Sequence, residues 1–325
     1  MDKTESTNRI ETRYRGKAAI MTTCRPVLQQ MVGNWQLYLL MLLPLLYILI
    51  FHYYPMYGLQ IAFKKYEIAK GISGSEWVGF VHFKRFFHSY DFHLVFGNTL
   101  KISMYQLLVG FPAPVVLALS LNYIMRARFK KALQMATYAP HFISVVVMSG
   151  ILVQLLSHTG AISKLVEMIT GERINFLGEA ALFKTIFVFS GVWQNIGWSS
   201  IIYLAALSSI DPTLHEAAVM DGASKWKRIR HIDVPGIMPT IVVLLILEIG
   251  KVMNIGYQKI LLLQNPLNLS SSEVIDTYVY KVGIISGLPN FSYAAAIGLL
   301  KSVIGLVLIY LANRIAKKVN NNGLW

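Results

Sequence analysis

Residues 26–63 read P-V-L-Q-Q-M-V-G-N-W-Q-L-Y-L-L-M-L-L-P-L-L-Y-I-L-I-F-H-Y-Y-P-M-Y-G-L-Q-I-A-F, without one Asp, Glu, Lys or Arg. A bilayer core about 30 Å thick takes roughly 20 mostly apolar residues in helical form. The run is long enough, and three more charge-free windows follow at 102–125, 132–163 and 185–210. Two further apolar stretches, 236–263 and 292–313, carry a few charges. Charges at that depth are costly and are expected to face protein or water. The reading is an all-α, polytopic membrane protein with six transmembrane helices, near 36–58, 98–123, 134–157, 184–208, 237–262 and 292–313.

Composition agrees. The 325 residues are 55% hydrophobic and 14% charged, with a mean hydropathy of +0.51. Soluble domains carry about 25% charge. This excludes a disordered or collagenous chain and argues against the two soluble domains that length alone allows. The net charge of +14 does not imply nucleic acid, because the basic residues sit between apolar runs. They report topology instead. With six spans both termini share a side, and the loops of that side hold seventeen Lys and Arg against eight on the other. Both termini are therefore expected in the cytoplasm. Cys24 stands alone, so no internal disulfide forms.

Three domains follow: a cytoplasmic arm over 1–35, a transmembrane domain over 36–318 with an organised loop at 210–235, and a cytoplasmic tail over 319–325. The arm is polar and basic, suited to anionic lipid or to plain solvation. The first apolar run is too long for a signal-peptide core. The loop 52–97 is dense in aromatics, among them Tyr53, Phe63, Trp77, Phe86 and Phe92, and is expected to form an interfacial belt and a small packed cap. Asn290-Phe291-Ser292 matches a glycosylation triplet, a weak signal.

Enzyme signatures fail. His215-Glu216 opens like a zinc helix, but the second His would stand at 219, which is Val. No G-x-x-x-x-G-K-[ST] phosphate loop and no G-x-S-x-G elbow occurs. No catalytic residue, metal site or cofactor is expected in the chain.

The loop 210–235, I-D-P-T-L-H-E-A-A-V-M-D-G-A-S-K-W-K-R-I-R-H-I-D-V-P, is too organised for a connector. Asp211 followed by Pro212 starts a helix, and Gly222 suits a left-handed stop. A helix over 212–221 is expected, then a basic amphipathic segment over 223–231 that Pro235 ends. Such a helix between two spans either transmits a push to them or lies on the surface without a partner.

Glu216-Ala217-Ala218, Asp221-Gly222-Ala223, and then Ile232 and Pro235 resemble the EAA loop of permease subunits of binding-protein-dependent ABC importers. Val234 stands where Leu is usual. Other stretches resemble the oligosaccharide and polysaccharide branch: residues 38–66, W-V-G-F at 77–80, G-N-T-L at 97–100, G-F-P-A-P at 110–114, Y-A-P-H-F-I-S at 138–144 and V-I-D-T-Y-V-Y at 274–280. Within that branch the chain is similar to a permease subunit of the bacterial alginate importer. The resemblance implies the type I ABC importer permease fold in a bacterial inner membrane. It implies a second, non-identical permease, two ATPase subunits that bind ATP and Mg, and an extracytoplasmic substrate-binding protein. Residues 212–224 become the coupling helix, with Glu216 meeting a basic residue of the ATPase. The chain itself is then no enzyme.

For the substrate route the candidates are polar residues inside spans: Gln154, Trp193, Gln194, Asn195, Trp198, Lys251, Asn254 and Gln258, with Glu248 and Lys259 beside them. On a helical wheel the polar residues of span five fall on one face. Rings stack on sugars and amides bond hydroxyls. Bonding between helices accounts for the amides equally well, and Glu248 pairs naturally with Lys251. An acidic sugar such as a uronate suits the lysines. The alternatives are an importer of the same fold for a non-sugar solute, or a stand-alone secondary transporter.

Overall fold

The computed structural model describes residues 33–320. The expected arm over 1–35 and tail over 319–325 fall almost wholly outside the described residues. The chain packs as two units that divide between Gln60 and Ile61. The first holds α1 (Trp35–Ile48), which widens into a π turn at Leu49–Tyr53 and then tightens into a 3-10 stretch from Tyr54. None of the α1 residues is buried, as suits an apolar helix whose solvent is lipid.

The second unit is built on α2 (Val81–Phe87), α3 (Tyr90–Gly110), α4 (Pro112–Asn122), α5 (Ala127–Tyr138), α6 (Val145–Leu156) and α7 (Ala161–Thr170). It continues through α8 (Ala180–Ser208), α9 (Pro212–Met220), α10 (Lys225–Arg228) and α11 (Val234–Gly250). The last elements are α12 (Tyr257–Leu263), α13 (Leu269–Ser272), α14 (Ile275–Tyr280) and α15 (Phe291–Asn320). The long α8 is the axis: α3, α4, α5, α11 and α13 all pack on it, while α15 packs on α2, α11 and α14. Gly197 permits the crossing of α8 with α5, since a Cβ there would lie 2.2 Å from the Thr137 carbonyl oxygen.

Five stretches combine the length and hydropathy needed to cross a membrane: Trp35–Phe63, Tyr90–Asn122, Val145–Thr170, Lys225–Gly250 and Phe291–Lys318. At 29 residues α8 is long enough too, about 44 Å. Its Trp-Gln-Asn row and its serines hold its hydropathy down. With α8 the count matches the six expected.

Two spans differ in detail. The third does not begin at 134. The basic α5 ends at Tyr138, Pro140 sits in a 3-10 turn, and α6 restarts where Ser144 Oγ accepts the Val147 N–H. Proline has no N–H to continue a helix, so a new cap is required. The fifth span is not one helix over 237–262. It begins earlier, because Pro235 does not end the basic segment: α10 passes through a π turn at Ile229–Asp233 directly into α11. The Val234 N–H bonds back to Ile229 O, five residues away. The helix then stops at Gly250, and residues 251–256 turn before α12, with Gly256 at φ +85°.

Some of the loop aromatics form a packed cap in the second unit, while Tyr53 is 62% exposed in the first. Lys64↔Trp77 and Lys65↔Glu76 pair as a two-residue antiparallel ladder. Phe63 stacks on Trp77 at 5.6 Å. Buried Phe86 meets Phe92, Tyr278 and Tyr293. Asn290 caps α15 by accepting the Tyr293 N–H at 3.0 Å, and Ser292 Oγ accepts the Tyr66 N–H at 2.9 Å.

Candidate functional site

Two places carry the polar chemistry, and the first is the segment around α9. Asp211 Oδ1 accepts the Thr213 N–H at 2.9 Å. That bond to the Thr213 backbone, helped by the Thr213 hydroxyl, holds the Asp211 carboxyl below the usual carboxylate range. Pro212 occupies the first turn, where its missing N–H costs nothing. At the other end Gly222 adopts φ +73°. The Ala223 N–H bonds to Ala218 O at 2.8 Å, and the Gly222 N–H to Val219 O at 3.0 Å. This crossed pair is a Schellman closure, which needs a left-handed residue at the glycine position. The second alanine of the Glu-Ala-Ala run thus supplies the carbonyl that closes its own helix.

The result is a rigid rod about 14 Å long. Glu216, Ala217, Asp221 and Gly222 are exposed on it, with Ala218 and Ala223 partly covered. Leu214, Val219 and Met220 are also exposed, Met220 at 87%, and so is Trp226 just beyond, at 80%. Four large apolar side chains beside an exposed carboxylate make a surface suited to a partner.

One charge of this segment turns inward. Asp233, only 1% exposed, accepts the Tyr123 hydroxyl on Oδ2 at 2.6 Å. Its Oδ1 lies 3.3 Å from His215 Nε2, within ion-pair distance but without the alignment of a hydrogen bond. The Arg228 guanidinium lies over the Tyr123 ring at 5.5 Å. Asp233 therefore ties α9, through His215, to the residue that follows α4 and to the π turn that feeds α11. Ile232 and Pro235 flank it. No local sequence signal marks this joint, since Asp233 reads like any acid in a basic loop.

The second place is a pair of adjoining cavities. The larger, about 630 Å³, is lined by residues of α3, α4, α8 and α11 and of the turn after α11. Among them are Asn195, Trp198, Glu248, Lys251 and Asn254. Lys251 Nζ pairs with Glu248 at 2.8 Å, and both side chains are well exposed. His141 lies flat on Trp198 at 4.6 Å and meets Asn195 Oδ1 at 3.0 Å. The smaller cavity, about 180 Å³, is lined by Gln194, Asn195, Gln258 and Lys259 among others.

Six of the eight pathway candidates thus line these cavities, and two do not. Trp193 projects from the other side of α8, 53% exposed, and Gln154 is exposed on α6. Buried Gln194 has a structural bond, donating to Ile143 O at 2.9 Å. The polar residues after Gly250 do not share a helical face with Glu248, because the chain turns at 251–256 and divides them between the cavities. Gln106, which lines both, escaped the reading, although an amide in a charge-free run was its signal. Among the described residues no group of three or more His, Cys, Asp or Glu is placed to hold a metal.

Residues 106–321 match the family described as binding-protein-dependent transport system inner membrane component. Protein LplB of Bacillus subtilis (strain 168) is 47% identical over 290 residues, covering 89% of this chain and 91% of that protein. The polygalacturonan/rhamnogalacturonan transport system permease protein YteP of the same organism is 43% identical over 300 residues, covering 92% and 93%. In structure, the chain superposes on one from a bacterial ABC transporter involved in the import of the acidic polysaccharide alginate. The TM-score is 0.83 at 37% identity, over 90% of this chain and 99% of that one. A second match, equal in score and identity, comes from the alginate transporter in complex with its alginate pentasaccharide-bound periplasmic protein. The chain has the type I ABC importer permease fold and belongs to the family of inner-membrane components of binding-protein-dependent transport systems.

Proposed function

We propose that this chain is the transmembrane subunit of an ATP-driven importer of an acidic oligo- or polysaccharide, and that α9 is its coupling helix. The carrying observation is the α9 rod: closed at both ends, apolar and acidic on its exposed surface, and fixed at Asp233 to the membrane helices. A rod so held turns a push into movement of α4 and α11. The push comes from a separate ATPase that binds ATP and Mg. ATP must differ in affinity between two states of the assembly for this to do work. Glu216 meets a basic residue of the ATPase, and Leu214, Met220 and Trp226 fill its cleft.

Family membership and the basic loops support the remaining parts of the proposal. A second, non-identical permease completes the route, an extracytoplasmic binding protein delivers the sugar, and both termini lie in the cytoplasm. The acidic substrate is supported by two relatives, one named for polygalacturonan and rhamnogalacturonan and one for the acidic polysaccharide alginate. All three polymers contain uronic acids. The exposed rings and amides of the larger cavity suit sugar faces and hydroxyls.

The experiment is capture of the tagged chain from its membrane in mild detergent, followed by uptake assays on the reconstituted assembly. The expected companions are an ATPase with a phosphate loop, a second permease and a binding protein. Glu216→Ala and Gly222→Asp are expected to insert normally and to lose uptake while ATP is still hydrolysed. Normal substrate-stimulated uptake in both variants would refute the coupling assignment.

A further inference from the structure

Lys259 is the anomaly of the membrane domain. It is 8% exposed on α12, beside Phe187 of the apolar cluster that also holds Ile102, Val188, Ile255 and Ile260. Three other lysines of this half of the chain each meet a carboxylate. Lys251 pairs with Glu248 and Lys281 with Glu273, both at 2.8 Å, and Lys301 pairs with Asp276. Lys259 has none within ion-pair distance among the described residues. Its ammonium has only the Phe187 carbonyl at 3.5 Å and the Phe187 ring at 5.3 Å. A buried charge without a partner is strongly unfavourable. An anion that arrives from outside would supply the missing partner.

The surroundings fit such an anion. Lys259 lines the smaller cavity together with Gln106, Asn195 and Gln258. Three amides and one ammonium give a carboxylate its charge partner and its remaining hydrogen bonds. Gly191 leaves room beside the ammonium, for a Cβ there would already approach Nζ to 3.8 Å. Gln106, Gly191, Asn195 and Ile255 line both cavities, so the smaller adjoins the larger along these four residues.

We propose that Lys259 anchors a carboxylate subsite in the translocation route, which takes the acid group of one uronate residue as the sugar chain passes. This rests on the acidic-saccharide reading above and adds the residue that reads the charge. No bond is made or broken. The carboxylate exchanges its water for the ammonium and the amides.

The test uses the assembled importer with its binding protein in proteoliposomes. The probes are trigalacturonate, trimannuronate, fully methyl-esterified trigalacturonate and maltotriose. Wild type is expected to take up at least one acidic probe. Lys259→Met should lower that uptake on the order of tenfold to a hundredfold in kcat/KM, the scale of one charge-assisted bond. Lys259→Arg should recover much of it. Lys259→Met should also melt no lower than wild type, because it removes an unpaired buried cation. Equal uptake of the acidic probe by wild type and Lys259→Met would overturn the subsite and leave the saccharide reading standing. So would a lower melting temperature with no rescue by Arg, which would make Lys259 structural. Uptake of maltotriose or the ester but of no acidic probe would overturn the subsite and the acidic class together. Uptake of none of the four would overturn the saccharide reading itself.

Discussion

Replacing Tyr123 by Phe should loosen the joint between α9 and the membrane helices. The substitution deletes one oxygen and keeps the ring that Arg228 covers. What it removes is a 2.6 Å hydrogen bond to a carboxylate that is 1% exposed. A bond to a charged acceptor contributes about 1.5–3 kcal/mol, and a buried acceptor left unmatched keeps its desolvation penalty. His215 offers little compensation, since its nitrogen lies 3.3 Å from the other carboxylate oxygen without hydrogen-bond alignment. At 1.4 kcal/mol per factor of ten, opening of the joint should become roughly 10- to 150-fold more populated. Asp233→Asn should cost less, because the neutral amide oxygen still accepts from Tyr123 and leaves no buried charge. Trypsin provides the assay, with Lys225, Lys227, Arg228 and Arg230 beside the joint. Cleavage tracks the open population when reclosing is fast. In membranes holding the chain without its ATPase, Tyr123→Phe should raise the cleavage rate by that factor. In an Asp233→Asn background the same change should raise it far less. An unchanged rate in Tyr123→Phe, or an equal rise in both backgrounds, would mean that the Tyr123–Asp233 bond does not hold the segment.

Three further outcomes follow from the same geometry. Gly222→Ala should cost the free chain only about 1–2 kcal/mol, the left-handed penalty, because no atom lies within 4 Å of the added methyl; an uptake loss beyond about a hundredfold, with Gly222→Asn milder, would place the further effect at the partner surface. Gly197→Ala should destabilise the unit by about 1–3 kcal/mol through overpacking, read as a lower thermal midpoint, since the methyl lands on the Thr137 carbonyl. Acid should fray the start of α9: Asp211 titrates below its unfolded value, so its cap is fully present above about pH 4 and is lost as the pH falls through the lowered value. The protection factor of the Thr213 amide in hydrogen exchange, measured against its intrinsic rate at each pH, should fall over that interval, and an Asp211→Asn variant should show no such step.

What the sequence disclosed and what it withheld divide by distance along the chain. The caps of α9 are local events: Asp211 acts on Thr213, and Ala223 closes on Ala218. A pattern read within ten residues could therefore place the helix and both its ends. The spans were legible for the same reason, since the cost of charge in lipid acts on each run by itself. The polar face of span five was not legible. A wheel drawn at 100° per residue presumes an unbroken helix, and the turn after Gly250 is not marked by a proline; Gly256 reveals its left-handed angle only in three dimensions.

Asp233 is the sharper case. Its hydrogen-bond partner Tyr123 stands 110 residues away, and nothing local distinguishes a buried acid from a solvated one in a basic loop. Yet the same long-range bond gives the short-range helix its mechanical meaning. An α9 rod held only by its two flanking turns would swivel under load without moving α4. Here the Tyr123–Asp233 bond joins the end of α4 to the π turn that feeds α11, and His215 of α9 lies 3.3 Å from the same carboxylate, so a push on α9 bears on both helices. Coupling strength in this chain should therefore depend on Tyr123 and Asp233, which no partner needs to touch, as well as on Glu216, which is exposed to one.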